Sequence, residues 1–122
     1  MDQTSVINIK DAPDGWETDE RYVYIGRAMT RGAHKLGASP YANPFKEGAA
    51  HPDTLRPMSR EDAIALFRAH GLENAEFIER VRRELKWKIL VCWCKPKACH
   101  GDILAAWADA AKVVTTRGIT VV

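Results

Sequence analysis

An apolar run feeds directly into a basic turn and then into an amphipathic segment. Trp87-Lys-Ile-Leu-Val-Cys92 leads through Trp93-Cys-Lys-Pro-Lys-Ala98 to Cys99-His-Gly-Asp102. A short apolar run bounded by turn signals reads as a strand buried in the middle of a sheet, here from Trp87 to Cys92 or Trp93. A strand that passes through a polar turn into a helix is the unit from which open α/β proteins build their sites. All three cysteines of the 122-residue chain, and one of its four histidines, lie in this stretch.

The rest of the chain fits the same class. Residues 4–9 read as a short strand. The turn residues Asp11-Ala-Pro-Asp-Gly15 separate it from a β-rich run, Arg21 to Gly26, which ends at Arg27. Residues 27–58 carry Gly32, Gly37, Pro40, Pro44, Gly48, Pro52 and Pro57 and read as a long irregular segment, with room for a short helix at 28–36. Ser59-Arg-Glu-Asp62 is a capping-box start for a helix running to about His70, with Gly71 as its stop. Ala63, Ile64, Phe67 and Leu66 form its apolar face. Asn74 caps a second helix to about Leu85, with Phe77, Ile78, Val81 and Leu85 at helical spacing. A last helix opens at His100 or Gly101, with Ile103, Leu104, Trp107 and Ala111 on one face. Gly118 to Val122 is an edge strand or a tail. The order predicts an α/β fold: a small single-domain Rossmann-like sheet flanked by helices, spanning residues 1–122.

Composition narrows the setting. Hydrophobic residues make up 46% and charged residues 28%, ordinary for a globular chain, and no apolar run approaches the roughly 20 residues that span a bilayer. Three cysteines cannot pair off completely, and the acidic first residues lack a signal-peptide pattern. The expected setting is therefore reducing and cytoplasmic, without a membrane partner. The net charge of +2 conceals an uneven distribution. Asp2, Asp11, Asp14, Glu17, Asp19 and Glu20 face only Lys10 at the N-terminus. Arg80, Arg82, Arg83, Lys86, Lys88, Lys95 and Lys97 face only Glu84 before the last helix. A basic stretch beside a candidate site points to an anionic small molecule or a nucleic acid.

Four groups of residues can carry chemistry. The C-x-C-x4-C-H spacing of Cys92, Cys94, Cys99 and His100 offers zinc ligands, with Cys94, Cys99 and His100 the set for any metal. The short first spacer and the adjacent Cys99 and His100 argue against a closed zinc knuckle, so no metal is expected. At the helix start the amides and dipole favour an anion, and they also favour the thiolate of Cys99. Lys95, Lys97 and Gly101 add to that field, while Asp102 serves the helix dipole or, with His100, acts as acid or base. Gly26 and Arg27, at a strand end, allow close backbone approach and a forked grip on phosphate or carboxylate. The stiff Ser39-Pro-Tyr-Ala-Asn-Pro-Phe45 loop presents Tyr41, Asn43 and Phe45 to a base or sugar, or packs Phe45 into the core. His34, His51 and His70 have no partner at useful spacing. Cys92 and Trp93 are expected in the strand and core.

Tyr22-Val-Tyr-Ile-Gly-Arg27, Asn43-Pro-Phe45, the helix start at Ser59, and Leu90-Val-Cys-Trp-Cys-Lys-Pro…Cys99-His-Gly-Asp102 together resemble the family called domain of unknown function 4326. The resemblance covers roughly residues 21–110. It implies a protein of bacteria, their phages or prophages, and supplies no established activity. It marks Arg27, Asn43, Cys94, Cys99, His100 and Asp102 as the positions to test.

These readings converge on a pocket at the strand-to-helix turn 94–102. Gly26, Arg27, Asn43, Cys94, Lys95, Lys97 and Gly101 bind an anionic ligand there: a nucleotide, a nucleoside or a nucleic-acid end. A hydrolase or transferase would use His100, Asp102 and Cys99, and whether the chain is an enzyme stays open. One alternative is a non-enzymatic phage or prophage module that binds DNA or a host protein through Arg80, Arg82, Arg83, Lys86 and Lys88. The other is a zinc-stabilised Cys/His domain. Oligomeric state and substrate are not legible.

Overall fold

The structure, a computed structural model, describes residues 3–29 and 36–122. Its centre is a three-stranded parallel sheet of β1 (Ser5–Asn8), β2 (Tyr22–Tyr24) and β3 (Ile89–Cys92), in the order β1-β3-β2. Val6 and Val23 both pair with Leu90. The apolar run takes the central place because it buries both faces of the sheet at once. Leu90 and Cys92 enter the main core with Ile78, Val81, Leu85 and Leu104. Val91, pointing the other way, packs with Ile9 and Trp16.

Three helices supply half of the main core: α1 (Arg60–Gly71), α2 (Ala75–Leu85) and α3 (His100–Asp109). Ser59 and Asp62 form the expected capping box, each side chain accepting the other's backbone N–H at 3.0 Å. Asn74 caps α2 through the Phe77 N–H. The apolar spacing in α2 places Ile78, Val81 and Leu85 fully inside, while in α3 Leu104, Trp107 and Ala108 are buried. Thr4 ties the sheet to the end of α3. Its backbone N–H and hydroxyl both donate to Asp109, and its hydroxyl accepts the Trp87 N–H.

The α/β class follows the element order, but three strands are too few to carry the strand-order signature of a Rossmann sheet. Helix α1 runs through Gly71, and the Leu72 N–H closes it on the carbonyls of Arg68 and His70. Ala111, expected on the α3 face, lies beyond that helix and is exposed. The C-terminal strand β5 (Thr120–Val121) pairs antiparallel with β4 (Val113–Val114) rather than extending the main sheet. Two 3-10 turns, Ile9–Asp11 and Trp16–Thr18, cover the second sheet face where the sequence showed only turn residues. Most of the short helix considered at 28–36, and His34, lie outside the described residues. The ends of that stretch, Met29 and Leu36, form an antiparallel bridge. The long segment is further pinned by a bridge between Ala50 and Pro57. No helix among the described residues is long and apolar enough to cross a membrane.

Candidate functional site

The carboxyl ends of β2 and β3 open into a cavity of about 370 Å³. Gly26, Arg27, Asn43, Cys94, Cys99 and His100, six of the residues expected at the site, all line it. Glycine at 26 leaves room for the Tyr24 ring, whose hydroxyl oxygen would lie 2.4 Å from a Cβ there. The turn after β3 is held from β1, because Asn8 Nδ2 donates to the carbonyls of Trp93 (3.2 Å) and Lys95 (2.7 Å).

Cys99 is the N-cap of α3. Its Sγ accepts the Gly101 N–H at 3.2 Å, and its own N–H donates to Asp102 Oδ2 at 3.2 Å, a capping box with sulfur in the usual oxygen's place. The Asp102 N–H donates to the Cys99 carbonyl. The amides of Gly101 and Asp102, expected as an anion seat, are thus satisfied within the cap. Gly101 instead lets α3 approach the sheet: a Cβ there would meet Ile25 Cδ1 at 2.7 Å and Val6 Cγ1 at 2.9 Å.

The three residues considered for catalysis all hold the framework. Asp102 completes the cap and pairs with Lys95 Nζ at 2.5 Å, outside the cavity wall. His100 is buried, with Nε2 at 2.9 Å from the Ile25 carbonyl and 3.0 Å from the Tyr41 carbonyl. Two acceptors at one ring nitrogen assign the proton to Nε2, and Nδ1 then faces Cys99 Sγ at 3.8 Å. Burial also lowers the His100 pKa, keeping the ring neutral. Cys99, expected as the thiolate, is pushed the other way. The neighbouring Cys92 and Cys94 sulfurs, together with burial, hold its proton in place.

Cys94 has the surroundings that Cys99 lacks. The Cys99 thiol and the guanidinium groups of Arg60 and Arg27 beside it lower its pKa to about 6. Cys92 is lowered to about 6 as well but is only 2% exposed. Cys94 is therefore the more accessible of the two lowered thiols. Among the described residues, no group of three or more His, Cys, Asp and Glu side chains is arranged to hold a metal ion.

The cations of the wall differ in their company. Arg60 spans the cavity edge, with Nη1 donating to the Ala98 carbonyl at 3.3 Å and Nη2 at 3.3 Å from Glu47. Arg27 Nη2 donates to the carbonyls of Asn43 (3.0 Å) and Phe45 (3.1 Å). Among the described residues neither Arg27 nor Lys46, which also lines the cavity, is paired with a carboxylate. Asn43 shapes the wall: Nδ2 donates to the Ala63 carbonyl and Oδ1 accepts the Phe45 N–H. Tyr41, considered for base contact, is buried with its hydroxyl on Glu84. Phe45 is half-buried in the wall, edge-on to His70. Lys95, Lys97 and Gly101 do not line the cavity. Arg60, Lys46 and Trp93 do, and no local pattern marked the first two. Trp93, expected in the core, is 42% exposed.

A larger cavity, about 720 Å³, opens between Pro40, His70, Asn74, Phe77 and Arg117. It contains none of the cysteines and sits away from the strand ends, so volume and chemistry disagree. The smaller cavity combines ionisable sulfur, cations without a carboxylate partner among the described residues, and the ends of parallel strands, the usual place for a ligand in this class.

The fold and cavity define a small parallel α/β protein with a cationic, thiol-lined pocket at its strand ends. The chain belongs to the family described as Domain of unknown function (DUF4326), which it matches over residues 7–110. It is also similar to an uncharacterized 12.4 kDa protein in the nrdA-td intergenic region of Enterobacteria phage T4. The two are 42% identical over 50 residues, covering 38% of this chain and 46% of the phage protein, less than half of that protein's length. No solved structure matches the chain.

Proposed function

We propose that the protein binds an anionic ligand, of the class of a nucleotide, nucleoside or nucleic-acid end, in the cavity at the ends of β2 and β3. Arg27 carries this reading. Two backbone carbonyls fix its guanidinium, no carboxylate among the described residues neutralises it, and it lines a cavity with Lys46 and Arg60. A cation oriented before the ligand arrives loses little freedom on binding, and the guanidinium fork suits phosphate oxygens. The catalytic set considered from the sequence is occupied in structural bonds, so binding stands here without an assigned chemical step.

Calorimetric titration with inorganic phosphate, pyrophosphate and a panel of nucleotides tests the reading. Wild type should bind at least one of them, more weakly as salt rises, and Arg27→Ala should weaken that binding. Wild-type and Arg27→Ala proteins that behave alike across the panel would overturn it.

A further inference from the structure

The tryptophan at the mouth of this cavity is held in a way that a merely exposed side chain is not. Trp93 Nε1 donates to the Tyr24 hydroxyl oxygen at 2.9 Å, and the Tyr24 hydroxyl donates to the Arg27 carbonyl at 2.6 Å. Its own carbonyl accepts from Asn8. Ring and backbone are thus both anchored while the indole remains 42% exposed. The anchoring chain ends on the residue that supplies the unpaired guanidinium. A fixed aromatic face beside an oriented cation is the pairing that recognises a planar base joined to a phosphate. At about 370 Å³ the cavity is near the lower end of the range for small-molecule sites, a size for one nucleotide unit and not for a duplex.

We propose that Trp93 is the stacking platform for the base of a single nucleotide unit whose phosphate lies on Arg27 and Lys46. The inference rests on the anion-binding reading above and narrows it to a ligand with both a base and a phosphate. The Glu47 carboxylate also stands in the wall, where it pairs with Arg60. A free nucleoside monophosphate and the terminal nucleotide of a single strand share this chemistry.

The test compares adenosine monophosphate, ribose 5-phosphate, inorganic phosphate and a short single-stranded oligonucleotide with and without a terminal phosphate. The proteins are wild type, Trp93→Ala, Tyr24→Phe and Arg27→Ala. Wild type should prefer adenosine monophosphate over the two base-free phosphates by about tenfold or more. Trp93→Ala should erase that preference and leave phosphate binding as it was. Tyr24→Phe, which keeps the ring but removes its anchor, should erase part of it. Tryptophan emission gives a readout that needs no variant: adenosine monophosphate should quench it and inorganic phosphate should not. A phosphorylated oligonucleotide that competes as well as the mononucleotide assigns the site to strand ends, and one that does not assigns it to free nucleotides.

Equal affinity of wild type for nucleotide and base-free phosphate, a preference that survives Trp93→Ala, or equal weakening of every ligand by that variant would overturn this inference and leave the anion site standing. Binding of no ligand by wild type would overturn both.

Discussion

Arg27 at the cavity and Arg82 on α2 both reach backbone carbonyls with their guanidinium groups. Arg82 commits both terminal nitrogens: Nη1 donates to Trp107 (2.6 Å) and Ala110 (2.8 Å), and Nη2 to Ala111 (3.2 Å). It closes the carboxyl end of α3, where the last helical carbonyls lack internal donors. Its neighbours are paired as well, Arg80 with Glu84 and Arg83 with Glu79 and Glu84. Arg27 commits one nitrogen to two carbonyls and meets no carboxylate among the described residues. The region richest in positive charge along the sequence is therefore largely satisfied within the fold, and the sparser cations around the cavity are the ones left to attract an anion. What recruits a ligand is unpaired charge in a concave place, not the count of charges in a segment.

The sharpest challenge to this contrast is Arg82→Ala. It removes the donors of three carbonyls and should cost about 2 kcal/mol, seen as a drop in melting temperature of several degrees, with phosphate binding unchanged. A variant that melts like wild type would return the α2 face to the list of binding surfaces. Arg27→Ala should do the converse. About a tenfold loss of affinity for the bound anion, or about 1.4 kcal/mol, is expected, with a smaller fall in melting temperature than Arg82→Ala because two carbonyls rather than three lose their donor. Charge reversal at Arg80 and Arg83 should change that affinity less than about twofold once the α2 face is excluded. If the reversals weaken binding more than Arg27→Ala does, the comparison is backwards.

The thiols sharpen the contrast further. Because the Cys94 pKa is lowered to about 6, its thiolate forms as pH rises past that value. A free thiol needs about pH 8.5. Alkylation followed by mass spectrometry at pH 7 should therefore modify Cys94 ahead of Cys92 and Cys99, and Arg60→Ala should slow it. Preferential labelling of Cys99 would reverse the assignment of the ionising sulfur. The last contrast is at the cap. Cys99→Ser keeps an acceptor for the Gly101 N–H and should stay near wild-type stability, while Cys99→Ala should cost about 1 kcal/mol.

Much of the framework was legible because its signals are local. Ser59 with Asp62, Asn74 with Phe77, and Cys99 with Asp102 are relations three residues apart, so the sequence shows both partners at once. The apolar run at 89–92 announced the central strand for a similar reason, since it has no polar side to turn to water. The candidate site was legible only in part. Gly26, Arg27, Asn43, Cys94, Cys99 and His100 do meet around one cavity, but several meet there as wall or scaffold. Reading the apolar run on through Trp93 places that ring inside with the strand. β3 ends at Cys92, and beyond it the ring is free to leave the core and bond to Tyr24.

The sequence by itself determined the element order, the helix starts and the strand that must lie at the centre. These follow from propensity, capping and the spacing of apolar side chains, all confined to short windows. Only the tertiary structure decided that Arg60 reaches the carbonyl 38 residues away at Ala98, that Arg82 is consumed by α3, and that His100 spends its ring proton on two carbonyls. It also decided which of three adjacent thiols faces the cations. Such outcomes depend on which polar groups packing brings within about 3 Å of one another, and no short window of sequence contains both partners.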